Sequence, residues 1–168
     1  MLHVTRYTLH EKYGFTLPEL IITFAIAGTL LGLVTINLFG SKNKASLATS
    51  ITTLITDIDQ QRLKAFVGDT EGRTSPDDYG IYFDQNNYVL FHGLNYNPAD
   101  STNFAISLGD NIQFTNNLFP QSRVVFNKGS GNVANFTTGA NSVTVRNTIT
   151  GEQKTIVINK FGVLNQAN

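Results

Sequence analysis

Cysteine is absent from these 168 residues, and that absence removes disulfide cross-links, thiolate metal centres and cysteine nucleophiles together. It is compatible with a reducing or an oxidising compartment. An excess of charge is missing as well. Twelve Lys and Arg stand against twelve Asp and Glu, so no global field draws the chain to nucleic acid, an anionic membrane or an acidic substrate. Histidine is scarce, with His3 and His10 in the first fourteen residues and His92 alone after them. One such His makes neither a metal cluster nor a catalytic triad, and no Ser stands in a nucleophile-elbow context. The acids Asp77, Asp78, Asp84, Asp100 and Asp110 do not fall in the Asp-x-Asp-x-Asp-Gly spacing of a calcium loop. Gly129-Ser130-Gly131 reads as a turn, since neither Gly-Lys-Ser/Thr nor a helix follows it. Asn135-Phe136-Thr137 is a formal N-glycosylation triplet. No catalytic residue, no metal and no cofactor is expected, and the chain is not read as an enzyme.

What the chain has is one long apolar run. From Leu20 to Ile36 there is no charge, no Pro and nothing more polar than Thr, while a lone carboxylate, Glu19, stands at its front edge. If residues 15–39 form one helix they extend about 37 Å at about 1.5 Å per residue, enough for a bilayer core of about 30 Å. A soluble core helix of that length would show a polar face, and none comes before Asn37. A carboxylate within such a span costs about 2.5–3.5 kcal/mol, which makes Glu19 a functional candidate in want of a partner. The bland alternative is that Glu19, four residues from Phe15, satisfies its own N-terminus or lies near the helix start, where the dipole favours an acid. Pro18 falls in the first turn, where a missing N–H is harmless. Gly28 and Gly32 form a Gly-x-x-x-Gly pair that permits close helix contact in lipid.

Residues 1–14 are hydrophilic and weakly basic, with Arg6, Lys12, His3 and His10 against Glu11. An ordinary secretory signal discards its apolar segment, whereas cleavage at Gly14 would keep it. Arg6 and Lys12 before the run predict a cytoplasmic leader and an exported head, although Lys42 and Lys44 beyond it weaken the bias. These features expect a single-pass protein of the cytoplasmic membrane, with its head in the periplasm or on the cell surface.

The stretch Gly14-Phe15-Thr16-Leu17-Pro18-Glu19-Leu20, with its basic leader and apolar sequel, resembles the class III signal of type IV pilins and pseudopilins. The resemblance covers residues 1 to about 40. It implies that a prepilin peptidase cuts between Gly14 and Phe15 and that the new Phe15 amine is N-methylated. It also implies that Glu19 pairs with the N-terminal amine of an adjacent subunit as helices stack in a filament.

Beyond Gly40 and Ser41, where a bend is expected, the pattern turns amphipathic. Leu47 or Ala48, Ile51, Leu54, Ile55, Ile58, Ala65 and Phe66 follow a helical period; Thr49, Thr53, Asp57, Gln60, Gln61 and Lys64 read as the opposite face, and Gly68 as the stop. From Asp69 the composition favours turns and short strands. The clearest hairpin is Gly80–Phe83, a turn over 84–87, and Tyr88–His92. Further strands are expected at 104–107, 111–115, 123–127, 135–138, 142–148 and 154–159, without long helices between them, which argues for antiparallel pairing. The expected fold is α+β and pilin-like: a long N-terminal helix, membrane half plus amphipathic half, packed on a C-terminal antiparallel β-sheet head. The divisions are 1–14 (leader), 15–39 (transmembrane and assembly helix), 40–68 (amphipathic continuation) and 69–168 (head).

The head also resembles, loosely, the H-type minor pseudopilins and FimT-like minor pilins, through Gln60-Gln-Arg-Leu-Lys-Ala-Phe66, Tyr79-Gly-Ile-Tyr-Phe83 and Ile156-Val-Ile-Asn-Lys-Phe-Gly-Val-Leu164. That group often carries Arg after the last Gly, and here Val163 follows Gly162. The resemblance implies a minor pilin or pseudopilin, a structural subunit of a type IV pilus or type II secretion filament. Its implied partners are a prepilin peptidase, other pilins or pseudopilins, an inner-membrane assembly platform, and the membrane through residues 15–39. The alternative is a FimT-like DNA-binding minor pilin acting in competence. DNA capture needs basic side chains against phosphates. Arg123, Lys128, Arg146, Lys154 and Lys160 are scattered between acids, and removing the leader leaves ten basic against eleven acidic side chains. DNA is therefore the less favoured partner.

Overall fold

The computed structural model describes residues 14–167, the side chains of 33–45, 166 and 167 excepted. The leader residues His3, Arg6, His10, Glu11 and Lys12 lie outside the described residues, as do the side chains on which the Gly40–Ser41 bend and the Lys42 and Lys44 flank depend. Helical backbone runs over Leu17–Val67 (α1). Two compact units divide the chain, 1–39 and 40–168. The two helical stretches with described side chains, 17–32 and 46–67, therefore belong to separate units.

The expected architecture needs correction on three points. Over the residues whose side chains are described, the stretch 17–32 is apolar. The longer stretch 46–67 is interrupted by Asp57, Asp59, Arg62 and Lys64. Among the described residues no helix is long and apolar enough to cross a membrane. The single-pass anchor over 15–39, and the localisation that followed from it, are not what the structure gives. Nor is one long helix packed on one sheet what the structure gives: the helical stretches with described side chains, 17–32 and 46–67, fall in separate units, and the strands form two sheets.

Eight strands follow: β1 Tyr79–Phe83, β2 Asn87–His92, β3 Phe104–Ser107, β4 Ile112–Thr115, β5 Arg123–Phe126, β6 Ser142–Asn147, β7 Gln153–Ile158 and β8 Leu164–Ala167. The first sheet has the order β3-β2-β1-β5 and the second β4-β6-β7-β8, with antiparallel pairing throughout. In β1 and β2 the partners Tyr79↔His92, Ile81↔Leu90 and Phe83↔Tyr88 share one face, because side chains alternate across a strand. Both sheets and the 46–67 stretch contribute to one core. Leu47, Ile51, Leu54, Ile58 and Ala65 join Ile81 and Phe83 of the first sheet and Phe114, Val143, Val145 and Ile156 of the second. Phe83 bridges the sheets, edge-on to Phe114 at 5.2 Å and stacked on Phe119 at 5.3 Å.

The helix stop read at Gly68 is present in detail. Asp69 N–H donates to Lys64 O (2.9 Å) and Gly68 N–H to Ala65 O (3.3 Å), with Gly68 at φ +69°, the two-bond closure that glycine favours. Two readings of the helix faces change. Gln61 is buried on the core face and Phe66 is exposed. The hairpin at 79–92 is as expected. The strand expected over 135–138 is absent, because Asn135 uses its side chain on β5 instead, accepting from Val125 N–H (3.2 Å) and donating to Arg123 O (2.8 Å). With that amide engaged, the Asn135-Phe-Thr137 triplet does not present a free acceptor nitrogen. β8 was not expected. It returns through a turn in which Asn159 Oδ1 accepts from Phe161 N–H (2.9 Å) and Val163 N–H (3.0 Å).

Candidate functional site

Gly14, Phe15 and Thr16 are exposed and precede the helix without regular structure, and Phe15 is 84% exposed. The bond between Gly14 and Phe15 thus lies in open backbone, two residues before the first helical residue. Thr16 begins the helix as its cap. Its hydroxyl accepts from Glu19 N–H (3.5 Å), while Glu19 Oε2 accepts from Thr16 N–H (2.9 Å) and from the Thr16 hydroxyl (2.8 Å). This reciprocal capping box satisfies donors that the first turn leaves without partners. Leu20 N–H donates to Thr16 O (3.1 Å) as the first turn closes. The Thr16 amide, and then its hydroxyl, hold the Glu19 carboxyl below the usual range. Glu19 therefore has a local partner. The sequence carries the signature for it, Thr16-x-x-Glu19, and Thr16 is the site residue that the sequence reading passed over.

Behind the cap the helix offers apolar side chains in every direction. Leu17, Leu20, Ile21, Ile22, Phe24, Ile26, Leu30 and Leu31 are all exposed. The two threonines turn inward on the backbone, Thr23 Oγ1 donating to Leu20 O (2.9 Å) and Thr29 Oγ1 to Ile26 O (2.8 Å). Their polarity is thereby absorbed, and the surface left is almost wholly aliphatic and aromatic. A Cβ added at Gly28 or Gly32 would meet nothing within 4 Å, so that pair has open space on its outer side.

The head places its titratable residues differently. His92 Nδ1 lies 3.3 Å from Asp77 Oδ2, and Nε2 lies 2.5 Å from Thr102 Oγ1. The Thr102 hydroxyl and then its amide, with smaller contributions from His92 and Arg73, lower the Asp100 carboxyl. Among the described residues no three His, Asp or Glu side chains are grouped to hold a metal ion. Two of the basic residues weighed for DNA, Arg146 and Lys154, face apart. Arg146 is opposite Gln153 and Lys154 opposite Val145, so the two point to opposite faces of the second sheet. Arg123 lies in the first sheet and donates to Asn95 Oδ1 (2.8 Å). Lys128 reaches Pro76 O (3.4 Å), and Lys160 lies over the Phe161 ring at 4.8 Å. The chain matches no family model, no curated protein and no solved structure.

Proposed function

We propose that this chain is a pilin-type structural subunit, a minor pilin or pseudopilin of a type IV pilus or type II secretion filament. In this reading a prepilin peptidase releases it by cleavage between Gly14 and Phe15. The new Phe15 amine is methylated, and the subunit assembles with other pilins or pseudopilins on an assembly platform. The observation that carries the reading is the exposed apolar helix directly behind an exposed Gly14–Phe15 bond. A contiguous apolar surface of that kind marks an interaction site, and helices of neighbouring subunits supply an apolar cover. Glu19 Oε2 serves the cap, which leaves Oε1 to meet the Phe15 amine of an adjacent subunit. The dispersion of Arg123, Arg146 and Lys154 speaks against DNA capture. Co-expression with a prepilin peptidase tests the proposal by mass: the chain shortens by the fourteen residues of the leader, and Gly14→Ala prevents the change. An unchanged mass for the unsubstituted chain would refute it.

A further inference from the structure

Gln61 stands three residues after Ile58 and four before Ala65, at a core position of its helical stretch, and it is 3% exposed. Its side-chain oxygen is buried and has no hydrogen-bond partner, which is uncommon for a buried polar atom. The same residue lines a cavity of about 230 Å³, together with Lys64, Glu71, Leu90, Thr102 and Phe104. We propose that this cavity, between the 46–67 stretch and the β2–β3 side of the first sheet, binds a neutral, hydroxyl-rich ring: a single sugar residue.

The chemistry of the walls selects that class. The charged groups at the cavity are already paired. Lys64 Nζ lies 2.6 Å from Glu71 Oε1, and Glu71 Oε2 lies 3.5 Å from Arg73. An ionic ligand would have to break these pairs, whereas among the residues that line the cavity the unmet atom is the Gln61 oxygen, part of a neutral amide. A half-turn of that amide exchanges its oxygen and nitrogen without a change of shape, so it offers an acceptor or a donor. A hydroxyl answers both. Leu90 and Phe104 supply the apolar side, and Phe104 is 64% exposed, an open ring on which the C–H face of a sugar can lie. Pockets for drug-sized ligands are about 300–1,000 Å³, so this smaller space suits one ring. The inference is independent of filament assembly.

The test uses the full chain in a zwitterionic detergent without a sugar headgroup, titrated with glucose, galactose and N-acetylglucosamine by calorimetry and ligand-observed NMR. Saturable binding of at least one sugar is expected, weakened about tenfold or more by Gln61→Leu and by Phe104→Ala. Phe104 is exposed, so its variant keeps the test decisive if Gln61→Leu does not fold. Three outcomes overturn the proposal: no saturable binding of any of the three, a cavity that holds water only; undiminished affinity in both variants; or tighter binding of acetate or methylammonium than of the sugars.

Discussion

Residues 17–32 and 46–67 are both helical, yet they place their apolar side chains in opposite ways. In the first stretch Leu17, Ile21, Phe24 and Leu31 are exposed, and the side-chain hydrogen bonds of Thr16, Glu19, Thr23 and Thr29 stay within the first turns or reach back one turn. In the second, Leu47, Ile51, Leu54, Ile58 and Ala65 form one buried seam. Its polar side chains reach far along the chain. Ser50 Oγ donates to Leu108 O, Asp57 accepts from the Tyr88 hydroxyl, and Arg62 Nε donates to Phe161 O (3.1 Å). A helix that specifies a fold needs one apolar face and long-range polar contacts. Among its described residues the first stretch shows no such division into a buried and a polar face.

The largest expected effect follows from that contrast. Leu54 is fully buried, so Leu54→Ala removes about 2–5 kcal/mol of head stability through lost transfer energy and the cavity left behind. Ile22→Ala, at a site 57% exposed, shifts the same transition by no more than about 0.5 kcal/mol but reduces incorporation into filaments. Denaturant unfolding followed by near-UV circular dichroism, with a filament assay beside it, measures both. Equal destabilisation by the two would erase the distinction.

Glycine sharpens the comparison at a smaller scale. A Cβ at Gly80 would collide with the Phe91 ring, so Gly80→Ala displaces that ring and destabilises the head by about 1–3 kcal/mol. At Gly28 a Cβ meets nothing, and Gly28→Ala raises helix content, since Ala is favoured over Gly by about 0.8–1.0 kcal/mol within a helix. Thermal melts and far-UV dichroism should move in opposite directions for the two variants.

These sites also show what could be read without the fold. The period Leu47, Ile51, Leu54, Ile58 and the stop at Gly68 are local signals, and they hold. Gln61 fits the same period, but its polarity suggested the outer face. Only the packed core shows that spacing outweighed residue type there. The uncharged run after Glu19 suggested a membrane span by composition, and among the described residues no helix is both long and apolar enough to cross one. The division into two sheets was not legible, because β4 pairs with β6 past the whole of β5, a non-local choice. β8 carries few strand-favouring residues, and the turn that leads into it rests on the Asn159 side chain. Thr16-x-x-Glu19 is legible as a capping box, a local pattern that needs no external cation.

Titration separates the two regions by pH. Burial, and then the hydrogen bond to Asp57, push the Tyr88 hydroxyl far above the usual phenol range, and burial raises Tyr79 as well. Raised values in the folded state mean that their stabilising effect is complete below the unfolded tyrosine value, about 10, and is lost as pH rises beyond it. Head stability therefore falls above about pH 10, and Tyr88→Phe flattens that fall. In 17–32 the titrating group is Glu19, whose lowered value works on the acid side. Its cap is intact above the ordinary glutamate range and frays as pH drops through the lowered value. Alkali that unfolds the head should leave the far-UV signal of 17–32 in place.

The smallest effect on stability falls at Glu19, and it is the most informative for function. Two roles meet in this carboxylate, a hydrogen-bond acceptor for Thr16 and a negative charge for a neighbour's Phe15 amine. Glutamine separates them. A Gln at this position still accepts from Thr16 N–H, as capping boxes with Gln do, but carries no charge. Glu19→Gln should therefore keep the helix start while lowering filament incorporation, whereas Glu19→Ala should lose both. Thr16→Ala provides the reverse case, a weakened cap with the charge retained. If Glu19→Gln assembles as well as the unsubstituted chain while Thr16→Ala and Glu19→Ala do not, the carboxylate acts through the cap alone and the intersubunit pairing is wrong. Helix content by far-UV dichroism, read beside filament yield for the same three variants, decides between the two.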